Sequence, residues 1–505
     1  MRGAVSSFGD SVAKTPHLDN LATTGLRFTN HHVQVSECAP SRVSMLTGLR
    51  PDQTQVFGRE AVFRRKNRNV VTLPAYFRNL NYTSVALGKV FDTSSFTDSK
   101  DFNMEFTDVC PLGTPKTATE CSFDVEVPAG RMGVHCPGGS VEFPPIRNPN
   151  DLYSIYGESL AVNQTQESEW YDGCTAHHAV ARIEEFGRTQ TPFFLSVGFL
   201  RPHLPWSAPR RFWNKFPRDR TQSIMKTVQL MDIRNPRFFL GQSSGASRRI
   251  GWDEIGQWER TRLRRQPTGS RPRAYYVSVS FVDEMIGQVV DAVQQSPHKF
   301  VRDNTVIVVW GDNGLHLGPV LWGKKTLFEQ ATRTPLIVVP SVAWKRRQMA
   351  TLPGLGKAIS HPVESIDIYP TILELTGVPM MAASEGLAGK SLVPYFFDTT
   401  RALKVAAVSQ YRDQRDQFRM TRMGYAIRTS THRFIRYFQF DPGCWGSTRD
   451  CVFYRTATLA RAELYFYSKP GTGETVNLFA NSRFRAVRIQ MEAIMRNRSV
   501  SWSSL

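Results

Sequence analysis

The 505-residue sequence predicts an α/β fold: a large, mostly parallel sheet sandwiched by helices, then a smaller C-terminal antiparallel sheet with one helix. Three observations predict it. Continuous apolar runs at 82–87, 193–199 and 305–310 alternate with helical stretches, and strands apolar on both faces belong in a sheet covered on both sides. Near residue 398 the pattern changes to short, closely spaced strands. Hydrophobic residues make up 41% of the chain, enough for one big or two unequal cores, with no internal repeat or low-complexity tract. We divide the chain into a main domain, 1–397, a smaller α+β subdomain, 398–490, and a tail, 491–505.

The elements follow in order. Residues 15–22 read as a short helix, and 25–30 lead into an extended run through Val35. Cys38-Ala39-Pro40-Ser41-Arg42 opens a short helix, because Pro40 suits a first helical turn and Gly48 and Pro51 suit its stop. A helical piece covers 72–80, and the strand at 82–87 ends in Gly88-Lys89. Residues 96–170, rich in Cys, Pro and Gly, read as a surface insertion. A helix over 172–186 precedes the strand at 193–199, which ends in Arg201-Pro202-His203. An amphipathic helix spans about 275–295, with Val279, Val282, Ile286, Val289, Val290 and Val293 at helical spacing. Thr305–Trp310 ends in Gly311-Asp312-Asn313-Gly314. A strand over 335–339 and a helix over 366–376 complete the main domain. Short strands follow at 405–409, 425–428, 434–440 and 463–467, then a helix around 484–495.

Ligands in open α/β sheets collect where the strands end. Lys89, His203 and Asp312 each stand at such an end, and Cys38 stands at a helix N-terminus, where free N–H groups and the dipole favour an anion. Arg42 adds a fixed cation.

The formal net charge is +19. Residues 201–273 alone hold 17 Lys/Arg against 5 Asp/Glu, which points to an acidic partner. No helix-turn-helix, zinc-finger or RNA-binding signature accompanies the charge, so nucleic acid is not expected. No apolar run reaches the roughly 20 residues of a membrane helix, so no membrane partner is expected. Seven cysteines occur; with Cys38 set aside, Cys444 and Cys451 look like a local bridge, and Cys110, Cys121, Cys136 and Cys174 form two more of undetermined pairing. Sequons at Asn81, Asn163 and Asn497 point, with the cysteines, to a secretory compartment. The first seven residues lack the apolar stretch of a signal peptide.

Cys38-Ala39-Pro40-Ser41-Arg42, followed by Thr47-Gly48, resembles the signature of the sulfatase family, and the likeness runs across nearly the whole chain, nearest to the iduronate-2-sulfatase branch. The resemblance implies that Cys38 is oxidised to formylglycine by a formylglycine-generating enzyme, and that Arg42 holds it. It implies that Lys89 and Lys324, in Trp322-Gly323-Lys324, bind sulfate. His203 would touch the bridging oxygen as general acid. Asp312 and Asn313, with the Cys38-derived oxygen, would bind calcium. The substrate it implies is a sulfated saccharide, and the location the secretory pathway, lysosomal or extracellular.

Two departures bear on activity. The family opens with an apolar strand ending in Asp-Asp, two further calcium ligands, and Met1-Arg2-Gly3 aligns just after it. A missing core strand is expected to expose its neighbours' backbone groups, and a start placed too late accounts for both this and the signal peptide. Asp92 stands where that branch has a histidine that assists sulfate release. The alternative expectation is therefore a catalytically silent binding protein on the same scaffold. A phosphodiesterase of the wider superfamily would use Ser or Thr in place of Cys38.

Overall fold

The computed structural model describes residues 1–58, 63–91, 125–127, 170–203, 206–217, 224, 270–317, 322–379, 386–412, 422–440, 453–454, 462–468, 474 and 476–498. In chain order these form α1 (Pro16–Thr24), β1 (Leu26–Phe28), α2 (Cys38–Thr47), α3 (Leu73–Asn79), β2 (Thr83–Gly88) and β3 (Val125–Val127). Next come α4 (Tyr171–Thr189), β4 (Phe193–Gly198), α5 (Ser270–Gln294), β5 (Ile307–Trp310), β6 (Leu336–Val339), β7 (Ala358–Ile359) and α6 (Ile368–Thr376). The C-terminal part holds β8 (Ala407–Arg412), β9 (Arg422–Arg428), β10 (His432–Phe440), β11 (Phe453–Tyr454), β12 (Ala462–Phe466) and α7 (Arg485–Arg498). The helix α7 runs past residue 490, where the sequence reading ended the subdomain. Asp92 and most of 96–170 and 201–273 lie outside the described residues, as do Cys110, Cys121, Cys136, Cys444, Cys451 and Asn163.

The main sheet comes in two halves. One has the order β3-β2-β4, all parallel. The other has the order β7-β1-β6-β5, in which β6 runs antiparallel to both β1 and β5. The sheet is thus less parallel than its apolar strands imply: a strand buried on both faces reads the same in either direction. Helices cover both faces. Val279, Val282, Val290 and Val293 of α5 are buried on one side, with Ile368 and Leu373 of α6 on the other.

β4 and β5 each end their half, and each pairs on one side only. Both are wholly apolar apart from Ser196, yet all of β5 and all but the last residue of β4 are only half-buried, whereas β6 is buried throughout. Between them lies a cavity of about 650 Å³, lined also by Ile286 and Val289 of α5 and Ile372 of α6. Among the described residues, the outer edges of β4 and β5 are thus unpaired. This predicts that hydrogen exchange, followed by mass spectrometry, will be at least about tenfold faster for the unpaired amides of β4 than for β6, which is flanked on both sides.

The antiparallel sheet β8-β9-β10, with β11 and β12 both on β10, matches the expected C-terminal architecture. Tyr411, Ala426, Ile435 and Tyr465 pack from it against Val35, Leu327 and Phe328 of the main domain. Met491 and Met495 of α7 cover the other face against Met423, Ile427 and Phe434. A buried ion network crosses the first of these contacts. Glu329 accepts from Arg428 Nε at 2.9 Å and Arg433 Nη2 at 2.7 Å, and Arg433 also pairs with Glu474 at 3.1 Å. Burial alone would raise the Glu329 pKa, but Arg428 and Arg433 hold it well below the usual carboxylate range. Glu329→Gln strands buried guanidinium charge, and urea unfolding should show a loss of about 3–5 kcal/mol.

Candidate active site

Cys38 is the first residue of α2, and its sulfur is in no disulfide. Glu37 ahead of it is extended, and the N–H of Ser41 closes the first helical bond on Glu37 O at 3.1 Å. At the far end Gly48 takes φ +68°, and a Cβ there would stand 2.6 Å from Leu387 Cδ2, so the helix stop requires glycine. Cys38 is 4% exposed, with its sulfur at the mouth of the free N–H groups.

Two strand ends and one turn bring polar and charged groups to that sulfur. Gly88 closes β2 so tightly against Gly198 of β4 that a Cβ would lie 2.4 Å from Gly198 O. The Lys89 N–H donates to that oxygen at 2.7 Å, which fixes where the lysine leaves the sheet. Lys89 Nζ reaches Cys38 Sγ at 3.6 Å. Lys324 Nζ reaches it at 2.9 Å. Asn313 Oδ1, after β5, accepts from the thiol at 3.5 Å. Arg42 binds Asp312 Oδ2 through Nε at 2.9 Å and Nη2 at 2.8 Å, while Nη1 donates to Val90 O at 2.9 Å and to Lys89 O. Burial alone would raise the Asp312 pKa; Arg42 foremost, then the residue-1 amino group, Lys89 and Lys324, holds it far below the usual carboxylate range. Asp312 is therefore an anion at physiological pH, facing three cations.

His203, after β4, lines the same cavity as Cys38, Arg42, Lys89, Asp312, Asn313 and Lys324. Cys38, Arg42, Lys89, Asp312, Asn313 and Lys324 thus meet in one place, His203 lines the cavity they open onto, and Asp92 lies outside the described residues. The cavity runs on from this site into the space between β4 and β5. Trp206, three residues beyond His203, is 2% exposed and packs on Tyr275, its ring centroid 5.7 Å away, so it serves the core.

Two residues escaped sequence reasoning. Lys325 sits at φ +67°, its N–H donates to Ser36 O at 3.1 Å, and its Nζ lies 3.6 Å from Glu37 Oε1. That pairing docks the 323–325 turn onto the entry to α2 and so delivers Lys324. Nothing local in the sequence signals it, because the partners are distant along the chain. Asp172 is the second: it reads as a helix start, but its carboxylate contacts the strand end that carries His203.

For calcium, the donors at hand are the Asp312 carboxylate, the Asn313 amide oxygen and the Cys38 position. The ion takes six to eight oxygens, and among the described residues no cluster of three or more His, Cys, Asp or Glu could hold a metal. The described residues do not complete a calcium site, and no step below passes through one.

The fold, with a cation-ringed cysteine at a helix tip, has counterparts among known proteins. The sulfatase family model matches residues 1–378, and the chain belongs to that family of sulfuric ester hydrolases. A sulfatase of Formosa agariphila is 27% identical over 447 residues, spanning 85% of this chain and 75% of the relative. Human iduronate 2-sulfatase is 26% identical over 504 residues, spanning 88% of this chain and 84% of the relative. A solved 2-O GAG sulfatase shares the fold with a TM-score of 0.62 at 18% identity, over 100% of this chain and 90% of that one.

The convergence on Cys38 gives a direct expectation. Lys89→Ala and Lys324→Ala should each lower kcat/KM for sulfate-ester hydrolysis by about 10²–10³, the effect of removing one preorganised charge-stabilising donor. Unchanged thermal midpoints in the same samples would separate this from unfolding.

Proposed function

We propose that this chain hydrolyses sulfate esters of an acidic saccharide, with the residue at 38 acting as formylglycine. The observation that carries the reading is the approach of two lysine ammonium groups, from separate parts of the chain, to one buried sulfur at a helix N-terminus. A thiolate attacking sulfur would end as a stable thiosulfate. A hydrated aldehyde at the same position supplies one hydroxyl to attack and a second whose deprotonation expels sulfate.

The chain's own side chains do the rest. Lys89 and Lys324 hold the sulfonyl oxygens and offset the charge that builds there. Arg42, bound to Asp312 and to two backbone carbonyls, fixes the helix tip. His203 gives a proton to the departing alcohol oxygen. Asp92 would take the place of a base in sulfate release. Support for a saccharide comes from the relatives: one is named iduronate 2-sulfatase, and one structural neighbour is titled a 2-O GAG sulfatase. The basic segment 201–273 supplies long-range attraction for such an anionic polymer. A secretory location fits the exposed Asn81 of the sequon Asn81-Tyr82-Thr83 and the disulfide-bonded Cys174. Calcium would need donors beyond Asp312 and Asn313. A second reading is a silent scaffold that binds sulfated saccharides without cleaving them.

Mass spectrometry of the tryptic peptide Phe28–Arg42, from a host that makes formylglycine, tests the first reading. The aldehyde is expected at position 38, together with release of sulfate from an aryl sulfate. An unmodified thiol would sink the proposal, and aldehyde without turnover would leave the binding scaffold as the function.

A further inference from the structure

We infer that Asp172 is a positioning residue for His203, a deepening that rests on the proposed role of His203 as acid. Asp172 lies in the first turn of α4 and is fully buried. A carboxylate is favoured at that end of a helix, but its oxygens are spent elsewhere. Oδ1 accepts from the Leu200 N–H at 2.5 Å. Oδ2 accepts from the Arg201 N–H at 3.2 Å and from Arg201 Nη1 at 3.3 Å. Leu200 and Arg201 are the residues that lead into Pro202-His203.

Arg201 carries the tie across the loop. It is 5% exposed, its Nε donates to Ser207 O at 3.2 Å, and its Nη2 donates to Ser207 Oγ at 2.8 Å. The guanidinium carbon lies 5.8 Å from the Trp170 ring centre. Trp206 Nε1 closes on Pro202 O at 2.8 Å, and the His203 N–H closes on Leu200 O at 2.9 Å. The backbone that leads into His203 and the backbone at Ser207 therefore both refer to one buried carboxylate. The former is held directly and the latter through the Arg201 fork. Asp172 does not reach the site itself; it sets where the imidazole points.

A leaving group that needs a proton reads out the position of an acid, and one that does not need it is blind to it. In the 505-residue chain, Asp172→Asn should lower kcat about tenfold or more for an alkyl or sugar sulfate, and less than about threefold for 4-nitrophenyl sulfate, given the 10²–10⁴ that acid catalysis contributes. KM should move little for either. His203→Ala should show the same leaving-group selectivity, more strongly, and the double variant should be no slower on the alkyl ester than His203→Ala alone. Arg201→Lys, which keeps the charge and loses the fork, should show a weaker form of the same pattern, and it serves if Asp172→Asn does not fold. Equal slowing of both esters by both variants would overturn the inference and reduce Asp172 to a stabilising residue. Absence of selectivity in His203→Ala would instead overturn the acid assignment on which it stands.

Discussion

Like charges set the central constraint. Lys89, Lys324 and Arg42 are gathered around one helix tip, with the Asp312 carboxylate bound to Arg42 as counter-charge. In a buried setting, mutual repulsion of such cations costs several kcal/mol before an anion arrives. The fold holds them there because each is rooted in backbone that has no freedom to relax. Lys89 leaves a strand end locked by the Gly88–Gly198 contact, Lys324 sits in a turn docked on Ser36 and Glu37, and Arg42 is one helical turn from Cys38. Repulsion that the scaffold resists leaves a site poised to attract an anion without rearrangement.

Much of this was legible in the sequence, and the reason is geometric. A charged residue directly after an apolar run announces a strand end, so Lys89, His203 and Asp312 could be placed at one edge of a sheet. Cys38 and Arg42 were legible through the Pro40 and Gly48 that bound their helix. What the sequence hid was long-range pairing. The antiparallel direction of β6 leaves no mark on a strand that is apolar on both faces. The Lys325–Glu37 contact and the grip of Asp172 on Leu200 and Arg201 join residues that no local pattern connects.

The C-terminal subdomain contributes to the same end from outside the cavity. Its sheet packs on Val35, Leu327 and Phe328, the residues that flank the entry to α2 and the lysine turn. The Glu329 network ties that sheet to the main domain with buried charge, whose partners are costly to lose. The subdomain thus braces two of the segments that carry the site, although none of its own residues lines the cavity.

The gap between β4 and β5 falls along the middle of the reaction centre. Lys89 and His203 belong to one half-sheet; Asp312 and Asn313 belong to the other. No ladder of hydrogen bonds joins β4 to β5, so the separation of these groups is governed by side-chain packing of α5 and α6 across the divide. Helix-on-sheet contacts slide more readily than strand pairs shear. The spacing across the centre is therefore the softest dimension of the site, and whatever fills or stiffens that seam also sets how closely His203 and Cys38 are gauged to each other.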